Sequence, residues 1–192
     1  MSKKFLEIES KYDASNIDRM QFKLLAKSLN PKSFLYVEST DIYYVKDGEF
    51  LRYRMASEND VTKRAELTYK KKSVSGNNIV RFELNLRVDP NDPETVAKFC
   101  EVLGYVRNFS IVKMCDIYYY DDADIVFYSV IDESGKVAHF VEVEILEELE
   151  VTEELGWATI RKYEELLAPL GITAQKRMRL SLFERYRVET KI

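Results

Sequence analysis

Histidine and cysteine are scarce in this chain of 192 residues, which has one histidine and two cysteines. With His139 alone, the chain cannot build a two-histidine metal site, and a Ser-His-Asp triad would depend on that single residue. Cys100 and Cys115 do not have CxxC spacing, so the sequence indicates neither a zinc site nor a disulfide framework. Any bound metal is therefore expected to be held by oxygen atoms.

Long apolar runs are also missing, because no stretch reaches the roughly 18 apolar residues that a membrane-spanning helix needs. The start, MSKKFLEIES, lacks the apolar core of a signal peptide, which predicts a cytoplasmic protein. No Pro/Gly/Ser-rich linker or internal repeat stands out, and we expect one domain over residues 1–192. The net charge of −4 argues against general nucleic-acid binding.

Apolar and charged residues alternate with the period of a β-strand through much of the chain. The stretch FLEIESKY, residues 5–12, places Glu7, Glu9 and Lys11 on one face and aliphatic side chains on the other. Similar stretches follow as FLYVEST, DIYYV, EFLRYRM, AELTYKKK and IVRFELNLRV, and then at 109–115, 125–132 and 137–145. Together they predict about eight antiparallel strands.

Helical spacing of apolar residues predicts four helices around these strands. They are expected to open at Ser15, Asp92, Thr152 and Thr173, and the last helix is basic. In the second helix, one apolar side is expected to consist of Val96, Phe99, Val102 and Leu103.

The charged faces of the strands decide the expected architecture. Any single strand fits an open sheet with one face in water, which is common in antiparallel sheets. About eight strands, however, are enough for a sheet to curl and close. With the apolar faces outward under the helices, the charged faces would line the inside, where unpaired charges are costly. The predicted fold class is α+β: an eight-stranded antiparallel closed β-barrel with helices packed outside.

Such an interior suits a ligand that is polyanionic and carries a divalent metal ion. Carboxylates bind hard cations through oxygen, and lysine and arginine bind phosphate oxygens.

The stretch EIESK, residues 7–11, resembles the ExExK signature at the amino terminus of the CYTH superfamily, also called triphosphate tunnel metalloenzymes. The charged strands in LRYR, LTYK, RFEL, IVKM and FVEVE follow in the family's order over almost the whole chain. The resemblance implies an eight-stranded tunnel that binds a triphosphate together with Mg²⁺ or Mn²⁺.

Site residues can be carried over by position from this resemblance. Glu7, Glu9, Lys11 and Glu144 are expected to be catalytic. The expected metal ligands are Glu7, Glu9, Glu142, Glu144, Asp132 and Glu83. The expected triphosphate ligands are Lys11, Arg52, Arg54, Lys70, Arg81 and Lys113.

Two positions depart from the family's pattern. Cys115 stands where many members have a second basic residue after Lys113, so one phosphate contact is missing or is supplied elsewhere. Asn85 stands where a further carboxylate is common, which weakens the case for a second metal site.

The C-terminal stretch AQKRMRLSLFERYR has two interpretations. A late helix could close one tunnel mouth and donate a cation from Lys176, Arg177 or Arg179. Alternatively, it is a basic helix that faces solvent and is anchored by Met178, Leu182 and Phe183.

The resemblance leaves three functions open. The first is a metal-dependent triphosphatase that acts on tripolyphosphate or on a nucleoside or organic triphosphate. The second is a class IV adenylate cyclase that converts ATP to cyclic AMP and pyrophosphate, and the third is a nucleotide- or polyphosphate-binding protein without turnover.

The expected partner is a small triphosphate. A membrane is not expected as a partner, and a nucleic acid is expected only if it is an RNA with a 5′ triphosphate. Either a monomer or a homodimer fits the sequence.

Overall fold

A computed structural model of the chain describes residues 6–59, 62–70, 80–145 and 152–188. Eight strands form within these ranges: β1 (Leu6–Asp13), β2 (Ser33–Lys46), β3 (Glu49–Glu58), β4 (Thr62–Lys70), β5 (Val80–Val88), β6 (Val106–Tyr119), β7 (Ala123–Asp132) and β8 (Val137–Ile145). Their order around the sheet is β1-β5-β4-β3-β2-β6-β7-β8, and all the paired strands are antiparallel.

The first strand closes the sheet into a barrel because it pairs with β5 on one side and β8 on the other. The predicted fold class is thereby confirmed. FLYVEST and DIYYV are not separate strands, however, but lie within the 14-residue strand β2. They stay continuous because β2 pairs with β3 and with the equally long β6 through this region.

Four α-helices lie in the described ranges: α1 (Arg19–Ser28), α2 (Pro93–Val102), α3 (Glu153–Leu167) and α4 (Leu182–Tyr186). The predicted starts of α2 and α3 are confirmed, because the side chains of Asp92 and Thr152 cap their first turns. Helix α1 begins three residues later than predicted, with Asp18 as its cap. None of these helices is long and apolar enough to cross a membrane.

The C-terminal helix also begins later than predicted, with Ser181 as its cap instead of Thr173. Only a short 3₁₀ turn follows Thr173, at Ala174–Lys176. The chain then runs alongside β1, where the backbone N–H of Met178 donates to the carbonyl of Lys11 at 2.8 Å. This bond and the bridge between Arg177 and Tyr12 hold the segment in an extended conformation, so no helix forms there.

Helices cover two regions of the outer face of the barrel. One apolar cluster joins α1 and α3 to β1, β7 and β8, with Tyr12, Phe127 and Ile160 fully buried. Another joins α2 to β2, β3 and β4 through Val96 and Cys100. The other apolar side chains that the sequence places on one side of α2 with Val96 are exposed: Phe99, Val102 and Leu103.

The inside of the barrel is apolar at one end, where α4 packs against the strands. Phe183 stacks on Phe50 with ring centroids 4.3 Å apart, and Tyr43 stacks on Phe109 at 4.4 Å. The apolar side chains of α4, Leu182 and Phe183, therefore line this end of the interior.

The segment that leads into α4 is anchored outside the barrel by Glu164 of α3. Nε and Nη2 of Arg177 each donate to its carboxylate at 2.5 Å, and the hydroxyl of Tyr12 donates to it at 2.9 Å. The Glu164 side chain is only 9% exposed, so solvent screens the pair weakly. This ion pair fixes the C-terminal segment to β1 and α3.

We expect Glu164→Gln to lower the free energy of unfolding by about 1–3 kcal/mol, because the partly buried guanidinium of Arg177 loses its counter-charge. Urea unfolding followed by circular dichroism measures this. The control is Glu165→Gln, the next residue on α3 and exposed. Equal stability of the two variants would show that the ion pair does not anchor the segment.

Candidate functional site

A cavity of about 270 Å³ occupies the charged part of the barrel interior. Among the described residues, ten charged side chains line it: Glu9, Lys11, Arg52, Arg54, Glu66, Lys70, Glu83, Lys113, Glu142 and Glu144. The structure thus brings together nine of the residues predicted from the sequence and adds Glu66. Both departures from the family's pattern, Asn85 and Cys115, line the same cavity.

An acidic wall is formed by β1 and β8. Glu9 lies opposite Glu144, and Lys11 lies opposite Glu142, because the two strands pair in this register. The Lys11 ammonium donates to Glu142 at 3.1 Å and also contacts the carboxylate of Glu9. Burial alone would raise the pKa of Glu142, but the ammonium groups of Lys11 and Lys113 outweigh it and lower the pKa to about 2. Glu142 is therefore ionised at neutral pH.

Asp124 lies next to this wall on β7, although it does not line the cavity and sequence reasoning did not single it out. It lies opposite Glu144 on β7, so Glu9, Glu144 and Asp124 form a row across three strands. Burial raises the pKa of Asp124 to about 6, and its Oδ1 is buried without a hydrogen-bond partner. The signal that could have identified it is the alternation in ADIVFYSV, which places Asp124 on the face of Val126, a cavity residue.

Asp132 lies at the other end of β7 and does not line the cavity. Its Oδ1 accepts hydrogen bonds from Ser134 N–H at 2.9 Å, Ser134 Oγ at 2.6 Å and Lys136 N–H at 3.0 Å. The bond from the Ser134 hydroxyl contributes most to a lowered pKa of Asp132. In this structure the carboxylate stabilises the turn between β7 and β8.

A basic wall faces the acidic one and is formed by β3, β4 and β6. Lys70 Nζ lies 2.5 Å from the carboxylate of Glu83, whereas Arg52 Nη2 lies 3.9 Å from it. Arg52 also donates to the hydroxyl of Thr68 at 3.0 Å. These contacts hold both cations in fixed positions on the cavity wall.

Arg54 is held by Asp41, which is fully buried on β2. Its Nε and Nη2 each donate to Asp41 at 2.7 Å in a bidentate pair. Burial alone would raise the pKa of Asp41, but the Arg54 guanidinium outweighs it and holds that pKa well below its usual value. Asp41 was not singled out in the sequence, because its role depends on the pairing of β2 with β3.

Lys113 differs from the other cations of the wall. Its side chain is 7% exposed, and it has no hydrogen bond or ion pair among the described residues. The ammonium lies 4.2 Å from the centre of the Tyr128 ring, and burial lowers the pKa of Lys113. A buried cation without an ion pair is costly, so an anionic ligand in the cavity would stabilise it.

Two predicted residues, Glu7 and Arg81, lie opposite each other where β1 meets β5. The pairing places Glu7 two residues before Glu9, on the same strand face. Their side chains lie outside the described residues, and their roles stay predictions.

The C-terminal cations do not line the cavity. Lys176 and Arg179 are exposed, and Arg177 is bound to Glu164 on the outside of the barrel. Instead, the later residues of this segment reach the cavity: Ser181, Leu182 and Phe183. The helix thus closes this end of the interior with apolar side chains, and a cation donated by Lys176 or Arg179 stays a prediction.

The acidic wall offers oxygen ligands of the kind that Mg²⁺ and Mn²⁺ prefer. No three of the described acidic side chains are close enough together to hold a metal ion as they stand. The buried, unpartnered Oδ1 of Asp124 nevertheless fits a cation ligand. The residues present therefore suit a divalent cation by donor type, and those that would hold it are Glu9, Glu142, Glu144 and Asp124.

We expect the Asp41–Arg54 pair to make stability depend on pH. A carboxylate whose folded pKa is lowered stabilises the fold above the unfolded value of about 4, and this contribution is lost as the pH falls below it. Asp41→Asn should lower the free energy of unfolding by about 3 kcal/mol at pH 7 and flatten the acid dependence. Urea unfolding at pH 7, 4 and 3 measures both effects.

The control for this prediction is Asp121→Asn, because Asp121 is 86% exposed and pairs with Lys32 at the surface. It should behave like the unchanged protein at each pH. An Asp41→Asn variant with the unchanged protein's acid dependence would contradict the assignment.

Comparisons with known proteins agree with this geometry. A conserved hypothetical protein of Pyrococcus furiosus superposes with a TM-score of 0.71 at 21% identity, over 93% of this chain and 98% of that one. A proposed adenylate cyclase of Bacillus halodurans gives 0.61 at 15% identity, over 96% and 99%. The RNA triphosphatase Pct1 of S. pombe gives 0.50 at 11% identity, over 94% and 87%. At these identities the likeness shows the fold.

Comparison with curated protein sequences gives no significant match. The family model of the CYTH domain, in contrast, matches residues 6–179. Since this match spans most of the chain, the protein belongs to the CYTH family.

Proposed function

We propose that this protein is a metal-dependent triphosphatase that removes the terminal phosphate of tripolyphosphate or of a nucleoside or organic triphosphate. The observation that carries the proposal is the buried Lys113, which faces the cavity without an ion pair among the described residues. A cation in this position favours a ligand with high negative charge. The family's members that act on triphosphates support the same substrate class.

The basic wall would bind the triphosphate. Arg52, Arg54 and Lys70 are already oriented by Thr68, Asp41 and Glu83, so little side-chain entropy is lost when phosphate binds. Together with Lys113, they would stabilise the charge that develops on the leaving oxygens.

The acidic wall would hold Mg²⁺ or Mn²⁺ through Glu9, Glu142, Glu144 and Asp124, with Glu7 beside them. When bound, such a cation neutralises phosphate charge and lowers the pKa of water. In the reaction, the oxygen of water bonds to the terminal phosphorus while the bridging P–O bond breaks, and the proton that this water loses goes to solvent. The products from tripolyphosphate are orthophosphate and pyrophosphate.

Lys11 connects the two walls. Its ammonium now neutralises Glu9 and Glu142, although it projects into the same cavity as the basic wall. With a divalent cation on these carboxylates, the ammonium becomes available to a phosphate oxygen. This exchange predicts that metal and triphosphate bind cooperatively.

The aromatic side chains of the cavity favour hydrolysis over nucleotide cyclisation. Cyclisation of ATP requires room for a base and a ribose next to the phosphates. The aromatic residues that line the described cavity are stacked on other rings instead, Phe50 on Phe183 and Tyr43 on Phe109. A slot for a nucleobase would require one of these stacks to open.

The test is a product-resolved assay of the purified protein with Mg²⁺ or Mn²⁺ and four substrates: tripolyphosphate, ATP, GTP and thiamine triphosphate. We expect orthophosphate from at least the base-free substrate. Pyrophosphate with cyclic AMP from ATP would make the protein a cyclase. Metal-dependent binding without any product would support a binding protein.

Glu9→Gln distinguishes a true activity from a contaminant. Because Glu9 is buried in the acidic wall, the variant should lose most metal-dependent turnover. It should keep a similar melting temperature, since the ammonium of Lys11 retains Glu142 as a partner. The control is Glu101→Gln, an exposed residue on the outer helix α2. Turnover that persists in Glu9→Gln would contradict the proposed role of the acidic wall.

A further inference from the structure

A second cavity of about 510 Å³ lies at the barrel end opposite α4. There β3 ends at Glu58, β4 begins at Thr62 and β5 ends at Val88. Its lining includes three arginines, Arg54, Arg64 and Arg87. Among the described residues that line it, only Arg54 is a site residue predicted from the sequence.

This second cavity adjoins the first, because Arg54 and Glu66 line both. The strand register shows how the arginines follow one another. Arg54 lies opposite Glu66, and Glu66 lies opposite Arg87 on the next strand. Since neighbouring strands are about 4.8 Å apart, Arg87 lies roughly 10 Å across the sheet from Arg54.

The arginines of this cavity keep hydrogen-bond donors for a ligand. Arg87 is exposed and has no ion pair or hydrogen bond among the described residues. Arg64 donates to Glu58 at 2.8 Å, but its side chain is 60% exposed, so this pair is weak. Arg54 uses Nε and Nη2 for Asp41, which leaves Nη1. A planar guanidinium suits phosphate oxygens because it can bind two of them at once.

The kind of side chain in this cavity indicates what it binds. The described residues that line it include no aromatic ring, and a nucleobase usually stacks on one. Arginines without aromatic neighbours therefore favour a ligand that consists of further phosphate groups and not of a nucleobase.

We propose that the second cavity is a phosphate subsite for a linear polyphosphate longer than three phosphoryl units. The terminal units would bind in the first cavity, and the next units would extend past Arg54 to Arg64 and Arg87. This inference rests on the proposed function and specifies its substrate class.

The test compares kcat/KM for tripolyphosphate and for a long linear polyphosphate of defined length, with orthophosphate release as the readout. The unchanged protein should favour the long chain. Arg87→Gln should lower kcat/KM for the long chain about tenfold, which is the loss expected for one charge-assisted hydrogen bond. Its effect on tripolyphosphate should be much smaller, so the preference for the long chain should largely disappear.

The matched control is Arg161→Gln, an exposed arginine on the outer helix α3. It should leave both values unchanged. The melting temperature of each variant excludes a folding defect. Arg64→Gln should also lower kcat/KM for the long chain, which tests the same subsite independently.

Several outcomes would overturn the inference. Equal kcat/KM for both chains in the unchanged protein would show that the second cavity does not bind phosphate. An equal loss for tripolyphosphate and the long chain in Arg87→Gln would place Arg87 with the first cavity. A loss with ATP as large as with the long chain would indicate a nucleotide subsite instead.

Failure of the proposed function gives a different result. If no substrate is hydrolysed, calorimetric titration of the long polyphosphate still tests the subsite, and Arg87→Gln should weaken its binding about tenfold. Hydrolysis of tripolyphosphate without a preference for long chains overturns the inference alone. Absence of both hydrolysis and binding overturns both proposals.

Discussion

The closure of the barrel by β1 is the constraint on which the rest of the structure depends. This strand pairs with β5 and β8, and it also carries Glu7, Glu9 and Lys11. Its pairing with β8 brings Glu9 opposite Glu144 and Lys11 opposite Glu142, although more than 130 residues separate the two strands in sequence. The same closure turns the charges of β3, β4 and β6 toward that wall. A register slip of one residue in β1 would turn all three of its charges outward.

The cavity holds charge at a cost to stability that the surrounding contacts offset. Most cations have a carboxylate partner, as Arg54 has Asp41 and Lys70 has Glu83. Lys113 is the exception among the described residues, and burial disfavours its charged form. Ligand-binding sites commonly keep residues whose replacement would stabilise the protein, because function requires these residues. The apolar end under α4 supplies part of the compensating stability, since Phe183 packs into it.

Much of the fold and of the site could be predicted because strand alternation is local in sequence. The spacing of Arg52 and Arg54, or of Glu142 and Glu144, fixes a shared face without any knowledge of neighbours. Whether a carboxylate lies beside the acidic wall depends instead on the register of the strands. For this reason the sequence predicted Asp132 as a metal ligand, whereas in the structure Asp124 lies beside Glu144. The place of α4 depends on long-range contacts of Arg177 with Glu164 and Tyr12, which the local pattern does not contain.

The most direct test of the account is the effect of Lys113→Met on tripolyphosphate binding and on thermal stability, with Lys98→Met on the outer helix as the control. If Lys113 is buried to bind an anion, calorimetric titration with Mg²⁺ should show at least a tenfold loss of affinity. The melting temperature should stay the same or rise, because a buried unpaired charge is removed. Unchanged affinity together with a lower melting temperature would show that Lys113 serves the fold, and the account of the cavity as a triphosphate site would be contradicted.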